Sequence, residues 1–208
     1  MSDRSLSSRR WGMLVVVMLA LLGLTPAAVR ASSTGTYSNP LPIAIPGDGQ
    51  VESCADPSVI SRKEGNKVAW YMYCTTDPLN DQDKTGDNFN FHLIPILKSF
   101  DLINWTYVGD AFSTRPSWVA ADAGLWAPDI QFFNGKYYLY YTASNTSLPG
   151  GGSAIGVATS NNPAGPWADS GTPAVEPHAP PCCPNDKRWT FDPAIITDDA
   201  GQRYIYYG

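Results

Sequence analysis

The carboxylate in the most informative setting is Asp129, which directly follows a proline at the start of a short apolar stretch. The segment Leu125–Ile130 leads to an Asn134-Gly135 pair and then to an aromatic run. Asn-Gly readily adopts the positive φ angles of a tight two-residue turn, so the sequence predicts a β-hairpin here. We therefore expect Asp129 at the mouth of a hairpin, held by its stiff apolar neighbours Trp126 and Pro128.

Two other aspartates occur in a similar setting, each before a proline and an apolar, strand-like stretch. Asp56 precedes a hairpin signal that ends near Cys74, and Asp192 precedes one that ends near Tyr207. Repeats of short strands with an aromatic landmark in each unit are typical of a β-propeller. If each aspartate opens the innermost strand of its blade, Asp56, Asp129 and Asp192 occupy equivalent positions and converge on one face of the central axis.

The composition agrees with an all-β chain, since Gly and Pro number 18 each and aromatic residues make up 12%. We predict an extended lead-in at 32–53, blade one at 54–109, blade two at 125–171 and the start of blade three at 189–208. Closing a ring takes at least about four blades. We therefore expect a partial propeller from a truncated or partial sequence; the alternative is a short protein that completes its ring by association.

The N-terminus has the order of a secretory signal peptide. Three arginines precede an apolar run at 13–24, and Val29-Arg30-Ala31 places small residues where signal peptidase cleaves. The run is too short to span a bilayer. The paired Arg9-Arg10 weakly suggests the twin-arginine route. We expect residues 1–31 to be removed and the mature protein to be secreted, without a membrane partner.

The net charge narrows the range of partners. The formal net charge is −5, and removal of residues 1–31 makes the chain more acidic. An acidic surface without a basic patch repels nucleic acids and anionic lipids. Neutral polymers are then the natural large ligands.

Four cysteines in an exported chain could form disulfides. Cys54 and Cys74 flank the two strands of one predicted hairpin, so they could be bridged. Cys182 and Cys183 are adjacent, and a ring between neighbours is strained. Free or distantly paired thiols remain the alternative.

The sequence contains no strong metal motif. His92 and His178 are isolated, and there is no Cys-x-x-Cys spacing. The insert at 77–90 contains hard oxygen donors that calcium could use. Their spacing fits no known calcium loop, so a solvated loop is the favoured interpretation. These donors are Asp77, Asp81, Asp83 and Asp87.

Five segments in order resemble glycoside hydrolase family 43, the five-bladed propeller arabinanases, α-L-arabinofuranosidases and β-xylosidases. The resemblance covers residues 54–208. The segments are Ala55-Asp56-Pro57, Ser99–Trp105, Trp126–Ile130, Ala154–Ser160, and Phe191-Asp192-Pro193 with Tyr204–Gly208.

The resemblance implies a reaction and a set of roles. It makes Asp56 the general base and Asp129 the residue that raises the pKa of the general acid and orients it. Inverting hydrolysis uses a base and an acid, with their carboxyl groups roughly 6.5–9.5 Å apart to admit water. Trp126 is a candidate sugar-stacking platform, although blade packing is the alternative. Asp192 either binds substrate or only ties the third inner strand to its neighbours.

The family's general acid is a glutamate that follows the strand represented here by residues 203–207. The glutamates of this sequence are Glu52, Glu64 and Glu176, and none stands at a matching place. We therefore expect the chain as written to lack its proton donor. The resemblance implies no required cofactor and leaves a structural calcium undetermined.

Three hypotheses follow from these observations. The first is a secreted hydrolase of arabinan, arabinoxylan or xylan oligosaccharides. The second is a non-catalytic carbohydrate-binding propeller, and the third is an inactive fragment. A glutamate at the family's position would favour the first over the second.

Overall fold

The computed structural model describes residues 43–45 and 49–208, and the regular elements in these ranges are all β-strands. The predicted signal peptide at 1–31 lies outside the described residues, as do 32–42 and 46–48 of the lead-in. Residues 43–45 and 49–208 contain no helix that is long and apolar enough to span a bilayer. The strands are β1 (Ala44–Ile45), β2 (Gly49–Gln50), β3 (Ser58–Glu64), β4 (Lys67–Tyr73), β5 (Lys84–Thr85), β6 (Asn88–Phe89), β7 (Pro95–Ser99), β8 (Trp105–Asp110), β9 (Leu125–Phe133), β10 (Lys136–Ala143), β11 (Ala154–Ser160), β12 (Ala168–Asp169), β13 (Ala194–Thr197) and β14 (Arg203–Tyr206).

Blade one is an antiparallel sheet whose four main strands run in the order β8-β7-β4-β3. The innermost strand, β3, pairs with β4 from Ser58↔Tyr73 to Glu64↔Lys67. The lead-in extends this sheet, because β1 pairs parallel with β8 and antiparallel with β2. The sequence predicts an extended lead-in at 32–53 but no strands within it.

Blade two repeats the same plan in the order β12-β11-β10-β9, again with the first strand innermost. The predicted Asn-Gly turn is confirmed, since Asn134 and Gly135 have φ angles of 50° and 75° between β9 and β10. The first hairpin of blade three consists of β13 and β14. The inner strands β3, β9 and β13 contact one another in sequence. The chain is thus all-β and has the repeated blades of a propeller.

The repeat has a different register from the one predicted. In each blade the residue before the first proline has a positive φ: 49° at Asp56, 43° at Ala127 and 53° at Asp192. Asp129 lies two residues further along, inside β9 and opposite Tyr140, as Ser58 lies opposite Tyr73. The predicted equivalence therefore holds for Asp56 and Asp192 and is wrong for Asp129. The blades align on the positive-φ residue and the proline that follows it, and not on their aspartates.

Two kinds of hydrogen bond join the inner strands of blades two and three to the preceding blade. The backbone N–H of Ala127 donates to Thr75 Oγ1 at 2.9 Å, and that of Ile130 donates to Ser58 Oγ at 3.1 Å. The same two hydrogen bonds recur between blades two and three. There the Asp192 N–H donates to Thr142 Oγ1 at 2.9 Å, and the Ile195 N–H donates to Asp129 Oδ2 at 2.6 Å.

Aromatic side chains fill the space between blades one and two. Tyr73 and Tyr141 are fully buried, and the Tyr73 hydroxyl donates to the Pro163 carbonyl at 2.6 Å. Trp118 stacks on Tyr141, and both side chains donate to the Asp169 carboxylate, at 2.9 and 2.5 Å. This shared core holds blades one and two, and with them the inner strands β3 and β9, in a defined arrangement.

Cys54 and Cys74 form the disulfide that the sequence suggested, with their Cα atoms 5.0 Å apart. It ties the segment before β3 to the end of β4 and is expected to add about 3 kcal/mol of stability. Cys182 and Cys183 are free thiols with their sulfur atoms 3.0 Å apart.

The insert at 77–90 forms a small hairpin from β5 and β6. Its aspartates are dispersed: Asp77 accepts a hydrogen bond from Ser53, Asp83 is buried, and Asp81 and Asp87 are exposed. Within the described ranges, no group of three or more His, Cys, Asp or Glu side chains could hold a metal ion.

The prediction that His92 is isolated is wrong. Its Nε2 lies 3.0 Å from the buried carboxylate of Asp83, and its Nδ1 lies 3.0 Å from Asp110. The Tyr107 hydroxyl donates to the same Asp110 carboxylate at 2.9 Å. The hydrogen bond to Asp110 is the largest influence on the His92 pKa and raises it; burial opposes this. His92 therefore links the insert, through Asp83, to the end of β8, through Asp110, and this setting favours its protonated form.

We expect the free energy of unfolding to fall as the pH rises through the His92 pKa. The folded pKa lies above the ordinary value of 6.5, so the contribution is complete below that value and is lost above the folded pKa. Urea unfolding at a series of pH values from below 6.5 upward should show this decline. His92→Gln should remove it, whereas substitution of the exposed His178 should not. Equal pH dependence in wild type and His92→Gln would contradict the assignment.

Candidate active site

Asp56 stands immediately before β3 with its side chain exposed to solvent. Its Oδ2 accepts a hydrogen bond of 2.7 Å from Thr75 Oγ1. Thr75 follows the disulfide-bonded Cys74, and its backbone N–H donates to the Ala55 carbonyl at 3.0 Å. The carboxylate is thus solvent-accessible, yet it is hydrogen-bonded to a threonine at the disulfide-linked end of a hairpin.

Asp129 is half-buried where blades two and three meet. It accepts the Ile195 N–H at 2.6 Å, and the Gln131 amide donates to both of its oxygens at 3.0 and 3.1 Å. Burial raises the pKa of the Asp129 carboxyl, and the hydrogen bonds from Ile195 and Gln131 partly oppose that rise. The site therefore holds a desolvated carboxylate in a fixed orientation.

Trp126 lies at the start of β9 with 39% of its surface exposed. Its ring stacks on Phe191 with the centroids 6.4 Å apart and the planes at 19°. The indole also crosses Gly124, where an added Cβ would lie 2.0 Å from the indole Nε1. Gly124 thus permits this position of the ring. The exposed Trp126, backed by the partly buried Phe191, offers an apolar surface on which a sugar ring can stack.

Asp192 is exposed just before β13, and its tie to blade two is made by its backbone N–H, which donates to Thr142. Among the described residues its carboxylate makes no hydrogen bond or ion pair. The carboxylate is therefore available to a ligand, while the backbone N–H joins blade three to blade two.

The structure brings the predicted residues together at one end of the three inner strands. Thr75 connects two of the blades, because its Oγ1 donates to Asp56 and accepts the N–H of Ala127. Asp129 connects the second blade to the third through Ile195. Asp56, Trp126, Asp129 and Asp192 thus lie along one continuous edge.

The glutamates of the chain lie elsewhere. Glu64 ends β3 at its far side, where it binds Lys98 at 2.7 Å and Tyr71 at 2.5 Å. The hydrogen bond from Lys98 is the main cause of its lowered pKa. Glu52 and Glu176 lie outside the inner strands, and neither contacts Asp56 or Asp129 in the described part of the chain.

Sequence reasoning missed the residues that hold these carboxylates. Thr75 and Gln131 carry no motif of their own. A signal was present for Thr75, since Thr75 and Thr142 each stand two residues after a strand tyrosine, Tyr73 or Tyr140. Aligning the blades on their prolines makes the two threonines equivalent.

Proteins similar in sequence to this chain are named as arabinanases and arabinofuranosidases. A relative from Bacillus subtilis, an extracellular endo-α-(1→5)-L-arabinanase, is 35% identical over 193 residues, which are 90% of this chain and 52% of that protein. The extracellular exo-α-(1→5)-L-arabinofuranosidase ArbA of Cellvibrio japonicus is 40% identical over 130 residues, 55% of this chain and 34% of its own length. This chain thus spans about a third to about half of the length of these relatives.

Solved structures agree with the predicted fold. The crystal structure of a thermostable family-43 glycoside hydrolase matches with a TM-score of 0.54 at 26% identity, over 83% of this chain and 44% of that one. This confirms an all-β five-bladed β-propeller, of which the described residues form two blades and the first hairpin of a third. The model of glycosyl hydrolases family 43 matches residues 84–208, more than half of the chain. The chain therefore belongs to glycosyl hydrolases family 43.

Proposed function

We propose that the protein carrying this chain is a secreted glycoside hydrolase. Its substrates are arabinose- or xylose-containing plant polysaccharides, namely arabinan, arabinoxylan or xylan oligosaccharides, and it cleaves them with inversion. The observation that carries the proposal is the placement of Asp56 and Asp129 at one edge of adjacent inner strands. The names of the arabinanase and arabinofuranosidase relatives support the substrate class.

Asp56 acts as the general base. Its carboxylate is exposed and therefore accessible to a water molecule, and Thr75 holds one of its oxygens at 2.7 Å. The Asp56 carboxylate removes a proton from this water while the water oxygen attacks the anomeric carbon, from the face opposite the leaving group. Inversion requires a gap of roughly 6.5–9.5 Å between the base and the acid, and groups on different blades can provide it.

Asp129 acts on the general acid through its charge. Hydrogen bonds from Ile195 and Gln131 favour its ionised form even though burial opposes ionisation. A negative charge close to a carboxylic acid disfavours the ionisation of that acid and keeps it protonated near neutral pH. In this proposal the proton donor is the glutamate that the family uses, since Glu52, Glu64 and Glu176 make no contact with Asp56 or Asp129 in the described residues.

Trp126 and Asp192 bind the substrate. The exposed indole, supported by Phe191, stacks on a sugar ring, and the unpaired Asp192 carboxylate accepts hydrogen bonds from sugar hydroxyls. The chemistry uses carboxylates and water and requires no cofactor. The acidic chain is suited to neutral glycans and not to nucleic acids.

Secretion is part of the proposal. The basic start and apolar run within residues 1–31 support it. Two relatives are also named as extracellular enzymes. The Cys54–Cys74 disulfide is of the kind that persists in oxidising compartments.

A second candidate is a non-catalytic carbohydrate-binding propeller. The observation that favours it is the position of Glu52, Glu64 and Glu176, all of which lie away from Asp56 and Asp129. Such a protein would bind the same oligosaccharides through Trp126 and Asp192 without turnover.

The complete protein is expected to cleave aryl arabinofuranosides or xylosides and to release the inverted anomer, as observed by NMR. Asp56→Asn should lower kcat by about a hundred- to ten-thousand-fold, because the attacking water loses its base. The 208-residue chain alone should show negligible turnover, since none of its glutamates lies at the site. Retention of configuration, or unchanged turnover in Asp56→Asn, would refute the proposal; binding without turnover would favour the second candidate.

Asp129→Asn should separate stability from activity. Because burial raises the Asp129 pKa, the ionised side chain costs stability at pH values above it, and the neutral amide avoids this cost. The free energy of unfolding at pH 7 should therefore be maintained or increased. The general acid should lose its neighbouring charge, so its pKa falls and the alkaline limb of the pH–rate profile moves to lower pH. An unmoved limb would show that Asp129 has another role.

A further inference from the structure

Thr75 and Thr142 occupy the same position in consecutive blades. Each lies two residues after a tyrosine, Tyr73 or Tyr140, whose partner on the inner strand is Ser58 or Asp129. In both cases Oγ1 accepts the N–H of the positive-φ residue in the next blade at 2.9 Å. This shared bond belongs to the architecture and is independent of any chemistry.

Thr75 makes one additional bond that Thr142 cannot make. Its Oγ1 donates to Asp56 Oδ2 at 2.7 Å, whereas the residue of blade two that corresponds to Asp56 is Ala127. A hydroxyl has one proton to donate and lone pairs to accept with. Because the Ala127 N–H points at a lone pair of Oγ1, the hydroxyl proton is left for the carboxylate.

We propose that Thr75 is a positioning residue for the general base: it fixes the Asp56 carboxylate relative to the strand that carries Trp126 and Asp129. This inference rests on the proposed function. Asp56 is exposed, and the Thr75 hydroxyl is the one hydrogen-bond donor to its carboxylate in the described part of the chain. The second oxygen, Oδ1, remains free for water.

The Thr75 hydroxyl oxygen makes one bond within blade one, to Asp56, and accepts a second from blade two, from the Ala127 N–H, so this one atom relates the carboxylate to the neighbouring inner strand. Asp56 and Thr75 belong to blade one, and Ala127 stands one residue after Trp126 at the mouth of blade two. Loss of the hydroxyl frees the carboxylate to rotate away from the water that it activates. Misplacement of a reacting group by about 1 Å can cost on the order of a hundredfold in rate.

The experiment compares Thr75→Val, Thr75→Ser and Thr142→Val in the complete protein. Both valine variants remove one bond between blades, so their Tm values should fall by similar amounts. Thr75→Val should lower kcat by about 10–100-fold and leave KM within about twofold. Thr75→Ser keeps the hydroxyl and should recover most of kcat. Thr142→Val should keep kcat near wild type.

Two outcomes would overturn the inference. One is a kcat for Thr75→Val near that of wild type. The other is an equal loss of kcat in Thr142→Val, which would mean that any weakened junction slows the reaction. If Thr75→Val does not fold, Thr75→Ala provides the same comparison.

A crystal structure of the folded Thr75 variant separates this inference from the proposed function. The Asp56 carboxylate should leave the orientation that it has in wild type, whereas Thr142→Val should not move it. An unchanged carboxylate would refute the role of Thr75 even in an active enzyme. A wild-type protein without hydrolysis would refute the function, while the displacement of Asp56 would still test the contact.

Discussion

The structure depends on the hydrogen bonds that satisfy outward-facing backbone N–H groups of the inner strands in blades two and three. Inner strands of neighbouring blades belong to different sheets, so these groups have no ladder partner at the junction. Side-chain oxygens of the preceding blade accept them: Thr75 and Ser58 at the first junction, Thr142 and Asp129 at the second. An unsatisfied buried N–H costs about 1–3 kcal/mol, which is large beside the stability of a domain.

The proposed chemistry uses this framework with few changes. Asp129 replaces the Ser58 hydroxyl as acceptor and adds a charge without altering the junction. Asp56 replaces the Ala127 methyl group at a backbone position that is the same in both blades. One carboxylate thus belongs to a structural bond and is half-buried, while the other projects from it and stays exposed. Their environments differ because their positions in the repeat differ.

Much of the fold could be predicted because its signals are local. The Asn134-Gly135 turn, the hairpins and the Cys54–Cys74 bridge all follow from residues close in sequence or at opposite ends of one hairpin. The register of blade two does not follow from the aspartates, because the repeated feature is the positive-φ residue before each proline, and in blade two that residue is Ala127. His92 with its two carboxylates, and Thr75 with Asp56, depend on segments that only the tertiary fold brings together. No short-range pattern encodes such contacts.

The residue preceding the positive-φ position differs among the blades. Because of this difference, the two ends of the candidate active-site edge are chemically unlike. Ala55 stands there in blade one, Trp126 in blade two and Phe191 in blade three. The stacked pair therefore forms an apolar wall across the second junction, whereas the first blade is small at this point and exposes Asp56. In the proposed reaction, a sugar ring stacks on Trp126 while the exposed Asp56 carboxylate of blade one is accessible to water. The asymmetry of three otherwise repeated positions thus orients the proposed reaction from the base in blade one toward the aromatic wall.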